Sequence, residues 1–205
     1  MLIRCSSLDD IMTDGRAKTG LSATAKGVIE KIAIESYFDT PITFGNKYTK
    51  KGIECEQDSI ELFNTVFFKA LAKNTERKSN EFITGECDLI DDDTIIDIKS
   101  SWDVKTFAMQ MINPTSYEWQ LRGYMWLYDK QKAYTAHCLV NTPEYLCKFE
   151  DGVHEFDHIP QAKRIIIGNV VSRDVAKENE LIERIGLCRE YYDEVLAKLS
   201  YKENL

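Results

Sequence analysis

The sequence predicts a mixed α/β protein, a small mixed sheet flanked by helices, folded as a single domain over residues 1–205. Three observations carry that expectation. The 205 residues make one domain's worth of chain, with 43% hydrophobic and 29% charged residues, enough to build a core. Two isoleucine-rich runs, 80–90 and 94–101, flank the polar tip Asp91-Asp92-Asp93 as the arms of a hairpin would. Segments of helical periodicity stand before, between and after the strands, in the order α-α-β-β-α-β-α.

Taken in order, residues 21–37 form the first expected helix. Ser22 or Thr24 can cap its start, and Val28, Ile32 and Tyr37 are its buried candidates. Residues 52–72 are a stronger helix, with Ile53, Glu56, Ile60, Phe63 and Phe67 on one stripe. The hairpin follows, then a helix over about 115–130 and a strand over about 132–140. A long amphipathic helix over about 173–200 closes the chain, with Ile182, Ile185, Tyr192, Leu196 and Leu199 on one side. Residues 141–172 carry no interpretable motif, and no repeat or low-complexity tract is present.

Composition excludes several classes. No apolar run approaches the roughly 20 residues that span a bilayer, and the first 15 residues acquire acids too early for a signal peptide. A cytoplasmic protein is expected. The six cysteines are scattered without a C-x-x-C pair, which disfavours zinc, iron–sulfur and disulfide frameworks and predicts reduced, mostly buried thiols. His137, His154 and His158 show no paired spacing, and no G-x-x-x-x-G-K-[ST] loop is present, so ATP is not expected. The net charge of −8 argues against a surface that coats nucleic acid everywhere. Residues 1–51, however, hold 8 Lys and Arg against 6 Asp and Glu, and are the better place for a phosphate contact.

The candidate site lies in the hairpin. A turn centred between Asp92 and Asp93 sets Asp88 opposite Asp97, where paired side chains share a face with Cβ atoms about 4.5–5.5 Å apart. Lys99, two residues on, shares that face, while Ile96 and Ile98 point into the core. Two opposed carboxylates repel, so a cation is expected between them, and a divalent metal is the natural candidate. Glu56 interrupts the apolar stripe of its helix between Ile53 and Ile60. A partner for the helix dipole at that helix start would also account for an acid there. Gln120 and Tyr124 are spaced i, i+4 on one helical face, a spacing that an ordinary packed helix also shows.

Together G-x-x-x-E at 52–56, Asp88, D-x-K at 97–99 and Q-x-x-x-Y at 120–124 resemble the PD-(D/E)XK nuclease superfamily. The stretches "KGIECEQDSIELF" and "WQLRGYMWLY" are most similar to its phage lambda-exonuclease and YqaJ-like branch, over a motif-bearing core of about residues 15–140. Asp97 stands where Glu is commoner, and "GEC" before Asp88 replaces the usual Pro or Gly. The resemblance implies a restriction-endonuclease-like core and a Mg²⁺-dependent deoxyribonuclease, with Mn²⁺ as a possible substitute. It implies Asp88, Asp97, the Ile98 carbonyl and Glu56 as metal ligands. Lys99 would act on the attacking water, with Gln120 positioning that lysine or the backbone phosphate and Tyr124 in support. It further implies 5′-to-3′ digestion of one strand of duplex DNA from an end, leaving a 3′ single strand for annealing-type recombination in phage or prophage DNA repair. The segment 15–27 resembles the family's grip on the terminal phosphate, with Arg16, Lys18 and Ser22 as the residues. A single-strand annealing protein is the implied partner, and a homotrimeric ring the implied assembly.

Two other readings stay open on these residues. A structure-specific or restriction-like endonuclease would share every catalytic residue and need no DNA end. A non-catalytic DNA-binding module would keep the fold without the chemistry.

Overall fold

A computed structural model of the chain describes residues 1–15, 20–43, 45–149 and 152–201. It opens with β1 (Ile3–Arg4), a 3-10 turn over Cys5–Ser7, α1 (Leu8–Ile11) and α2 (Ala23–Tyr37). Two helices follow, α3 (Lys47–Glu54) and α4 (Glu56–Phe67), and then four strands: β2 (Lys78–Ser79), β3 (Ile83–Gly85), β4 (Leu89–Asp91) and β5 (Thr94–Ser100). Helices α5 (Val104–Ile112) and α6 (Glu118–Tyr128) lead to β6 (Lys132–Cys138). The chain ends through α7 (Glu144–Cys147), β7 (Ile165–Ile167), β8 (Val171–Ser172) and α8 (Val175–Tyr201).

The central sheet runs β4-β5-β6-β7, with β8 also paired to β6. The hairpin register is the one the turn predicts: Leu89 pairs with Ile96, Ile90 with Ile95 and Asp91 with Thr94, around Asp92 in the left-handed region. Strands β5 and β6 are parallel and paired from Thr94–Lys132 to Ser100–Cys138, whereas β7 and β8 are antiparallel to β6. The sheet is therefore mixed, with helices on both faces, as expected. On one face Ile96 and Ile98 pack with Ile60, Leu62 and Phe63 of α4. On the other, Ile95 and Ala133 pack with α1, α2, α6 and α8 through Ile11, Ile29, Met125 and Ile185. A second, three-stranded sheet has the order β1-β3-β2, with Ile3 and Ile83 buried beneath it.

Four expectations need correction. The helix over 52–72 is two helices, broken at Cys55, because Lys51 is driven fully inside. Its Nζ donates to the carbonyls of Trp102 at 3.1 Å and Val140 at 2.8 Å, and burial pushes its ammonium down to about 8. The break turns Ile53 out, 71% exposed, and Phe67 is also exposed rather than buried. The run 80–90 splits between the two sheets as β3 and β4. In α2 the buried stripe is Ala25, Ile29 and Ala33, with Val28 and Ile32 only partly covered and Tyr37 half-buried. Small residues there let α8 lie close along the helix. In α8 the inward residues are Leu181, Ile185 and Cys188, with Ile182 half-buried. Elements β1, α1, β2, α5, α7, β7 and β8 have no counterpart among the expected elements. Five of the six cysteines are buried and all are free, and no helix among the described residues is long and apolar enough to cross a membrane.

Candidate active site

The site begins just before the start of β4. Asp88 lies one residue before the strand, and its Oδ2 accepts a hydrogen bond from the Ile98 N–H at 2.6 Å. The carboxylate thus takes the bond that a longer β4 would have made. A strand residue's N–H and C=O lie on the same edge, so the Ile98 carbonyl faces the space that β4 has vacated. Asp97 and Lys99 project on the face opposite Ile96 and Ile98, as alternation requires. Lys99 Nζ lies 2.7 Å from Asp97 Oδ2, and Asp97 is only 2% exposed.

Helix α6 brings the second set of groups. Its start is fixed from a distance of 110 residues by Asp9 of α1, whose two oxygens accept from the Trp119 N–H at 3.1 Å and the Gln120 N–H at 3.0 Å. A carboxylate on free N–H groups at a helix start is a favourable match to the dipole. Gln120, buried, donates from Nε2 to Asp97 Oδ1 at 3.1 Å and to the Tyr124 hydroxyl at 3.2 Å, while its Oε1 lies 3.5 Å from Lys99 Nζ. The structure therefore joins Asp97, Lys99, Gln120 and Tyr124 in one network. Lys99 also sits over the Tyr117 ring at 4.6 Å.

Glu56 enters from the opposite side of the sheet, at the first turn of α4. It is ion-paired with Lys73 on the segment after α4. That segment is pinned by Asn74, whose N–H donates to the Asp88 carbonyl at 2.7 Å and whose Nδ2 donates to the Cys87 carbonyl at 2.9 Å. Glu56, Asp88, Asp97, Lys99, Gln120 and Tyr124 line a cleft of about 630 Å³.

Burial, and then the charge of Asp97, push the Asp88 carboxyl up to about 8, against the pull of the Ile98 N–H. Burial works against the Lys99 ammonium, but the neighbouring Asp97 carboxylate outweighs it and holds the lysine charged. On the same face His137 pairs in register with Lys99, and burial with that nearby charge pushes its imidazole down to about 4.

The donor set suits a hard divalent cation. Asp88, Asp97 and the Ile98 carbonyl offer oxygen only, the preference of Mg²⁺, which keeps several of its waters. Asp97 Oδ2 is buried and, apart from its ion-pair contact with Lys99, makes no hydrogen bond. Among the described residues no three Asp, Glu, His or Cys side chains close into a cage, so Glu56, held by Lys73, stands back from the two aspartates.

Of the proposed phosphate residues, Ser22 does not line this cleft. Ser22 is buried at the N-cap of α2, its Oγ accepting from the Ala25 N–H at 3.0 Å and lying 2.6 Å from Thr13 Oγ1. Arg16 and Lys18 fall outside the described residues. Sequence reasoning missed Asp9, Lys73, Asn74, Tyr117 and His137. Tyr117 was within reach, since it shares a helical face with Gln120 and Tyr124. Lys73 lies in a segment without periodicity and leaves no signal.

No family model matches the chain, and no curated protein does. Among solved structures, a phage-related exonuclease from Haemophilus somnus 129PT is 34% identical. It superposes with a TM-score of 0.85, over 97% of this chain and 96% of its own. The chain belongs to the lambda-exonuclease-like family of phage-related exonucleases. The fold also matches the alkaline exonuclease LHK-Exo of Laribacter hongkongensis, at 13% identity and a TM-score of 0.72, over 99% of this chain and 93% of that one. LHK-Exo in complex with dAMP matches at a TM-score of 0.71. In this exonuclease family member, the four motifs named from the sequence converge on the one cleft.

Proposed function

We propose that this member of the family is a Mg²⁺-dependent exonuclease that digests one strand of double-stranded DNA from a 5′ end and leaves a 3′ single strand for annealing-type recombination. The observation that carries it is the arrangement just before the start of β4. Two carboxylates and a main-chain carbonyl meet there, and a charged lysine two residues on is tied to a glutamine from a separate helix. A divalent cation bound there supplies Lewis acidity toward the scissile phosphate and lowers the pKa of a coordinated water. Asp88, Asp97 and the Ile98 carbonyl would hold it, with Glu56 reaching directly or through water.

Lys99 faces the cleft beside Asp97, placed to orient the attacking water and to offset charge growing on the phosphoryl oxygens. Gln120 keeps that lysine and Asp97 in register, and Tyr124 supports Gln120 from one turn away. Desolvation by the Tyr117 ring and the floor at His137 strengthens each of these interactions. Arg16, Lys18 and Ser22 are the proposed contacts of the terminal 5′-phosphate. A homotrimeric ring around DNA and a single-strand annealing partner complete the reading by family.

The test is digestion of two matched DNAs with Mg²⁺, one linear with 5′-phosphates and one covalently closed. Loss of the linear DNA alone, to single strands and mononucleotides, is expected from the wild type and not from Lys99→Ala, with both proteins equally folded by circular dichroism. Nicking of the closed circle moves the protein to the endonuclease reading.

A further inference from the structure

The small β1-β3-β2 sheet has no part in the catalysis described above, and its outer face is open. Register shows what lies on that face. Arg4 pairs with Thr84, and Ser79 pairs with Thr84 from the other side, so the three side chains stand together. Ser79 Oγ donates to Thr84 Oγ1 at 2.8 Å, as that alignment requires. Two residues further along the same strands, Arg77 and Glu86 stand across from each other, 3.6 Å apart at their closest charged atoms. The opposite face, with Ile3 and Ile83, is core. The exposed face is thus polar and basic, where an ordinary surface of this acidic chain would carry acids. Arg4 makes no ion pair among the described residues, and Arg77 has only its loose, half-exposed contact with Glu86.

This face is not a flat exterior. It walls a groove of about 860 Å³, larger than the catalytic cleft, floored by Cys5 and Gly85. A Cβ at Gly85 would lie 2.6 Å from Cys5 Sγ and 2.8 Å from the Tyr124 ring, so glycine lets the strand lie close to both. Ser6, Ile53 and Tyr124 line both the groove and the catalytic cleft, so the two adjoin. The cleft holds carboxylates that would bind a cation. The groove holds two arginines and hydroxyls. Guanidinium groups and hydroxyls recognise phosphate and sugar oxygens.

We propose that the Arg4–Arg77 face holds the sugar–phosphate backbone of the nucleic-acid strand that enters the catalytic cleft, one or two phosphates beyond the point of cleavage. Glu86 restrains Arg77 until a phosphate replaces it. This deepens the nuclease reading and rests on it.

The test is fluorescence anisotropy with a labelled, 5′-phosphorylated duplex in Ca²⁺, over a series of salt concentrations, with single-turnover cleavage in Mg²⁺ alongside. Each arginine–phosphate contact contributes about 0.7 to 1 to the slope of log affinity against log salt. The double variant Arg4→Ala/Arg77→Ala is therefore expected to lose about 1.4 to 2 from that slope and to bind roughly tenfold more weakly at moderate salt. Its single-turnover cleavage at subsaturating protein is expected to fall in parallel, by roughly tenfold. Glu86→Gln is expected to bind more tightly, a change of sign that loss of structure would not produce. An unchanged slope in the double variant, with wild type binding and cutting normally, overturns the groove alone. A wild-type protein that neither binds nor cuts DNA overturns the groove together with the nuclease reading.

Discussion

Asp88 is held at a cost to the metal-free protein. A carboxyl raised to about 8 by burial and by Asp97 binds a proton that the unfolded chain has released, so stability is present at low pH and is lost as pH rises from about 4 through 8. Asp88→Asn keeps an acceptor for the Ile98 N–H without the charge. It is expected to melt higher than wild type in chelator at pH 9, while cleaving nothing. Mg²⁺ should raise the melting temperature of wild type and leave that of the variant unmoved, which thermal melts with and without metal will show. His137 gives the opposite slope. Its imidazole is depressed to about 4, so stability is complete above pH 6.5 and falls as pH drops toward 4, which urea unfolding at pH 7 and pH 4.5 measures. Lys73 is ion-paired with Glu56, so on the proposed reading it would compete with a cation for that carboxylate. Partly exposed pairs of this kind are worth up to about 1 kcal/mol, so Lys73→Met is expected to tighten Mn²⁺ binding a few-fold by calorimetry.

At the level of elements, α6 is the piece on which the site turns, and it is located by contacts far away in sequence. Asp9→Ala removes both acceptors at its start and is expected to cost about 1–2 kcal/mol in urea unfolding. The loosened Gln120 lowers kcat more than it raises KM. Gly123, on the inner face of the same helix, would carry its Cβ 2.5 Å from Leu8 Cδ1 and 3.0 Å from Cys5 Sγ. Gly123→Ala is expected to destabilise by roughly 1–3 kcal/mol, the usual range for overpacking, read as a drop in denaturation midpoint. The sequence was most legible where structure is local. The hairpin register followed from its turn, and Asp88, Asp97 and Lys99 came with it. It was least legible where a single long-range contact overrides periodicity. Lys51 looks like a surface lysine until its two carbonyl partners, 51 and 89 residues away, are known, and that contact breaks a helix whose pattern runs on without interruption. The split of 80–90 between two sheets is of the same kind, since nothing in the run tells which strand will claim each half.

Across the molecule, the functional groups come from α1, α4, the hairpin and α6, and the small sheet borders the adjoining groove. The motif residues could be named because each belongs to a recognisable local pattern. The groups that tune them, Lys73, Asn74, Asp9 and His137, could not, because their roles exist only after the tertiary fold has formed. The central pair of strands, β5 and β6, is parallel, and parallel neighbours demand a crossover. Here that connection carries α6, and with it Gln120. The hairpin that carries Asp88, Asp97 and Lys99 precedes in the chain the strand that lets the crossover close. A stalled or truncated product ending before β6 would hold the acids and the lysine but could not seat the glutamine. The cleft can therefore be assembled only once the chain has been made through Cys138, about two thirds of its 205 residues.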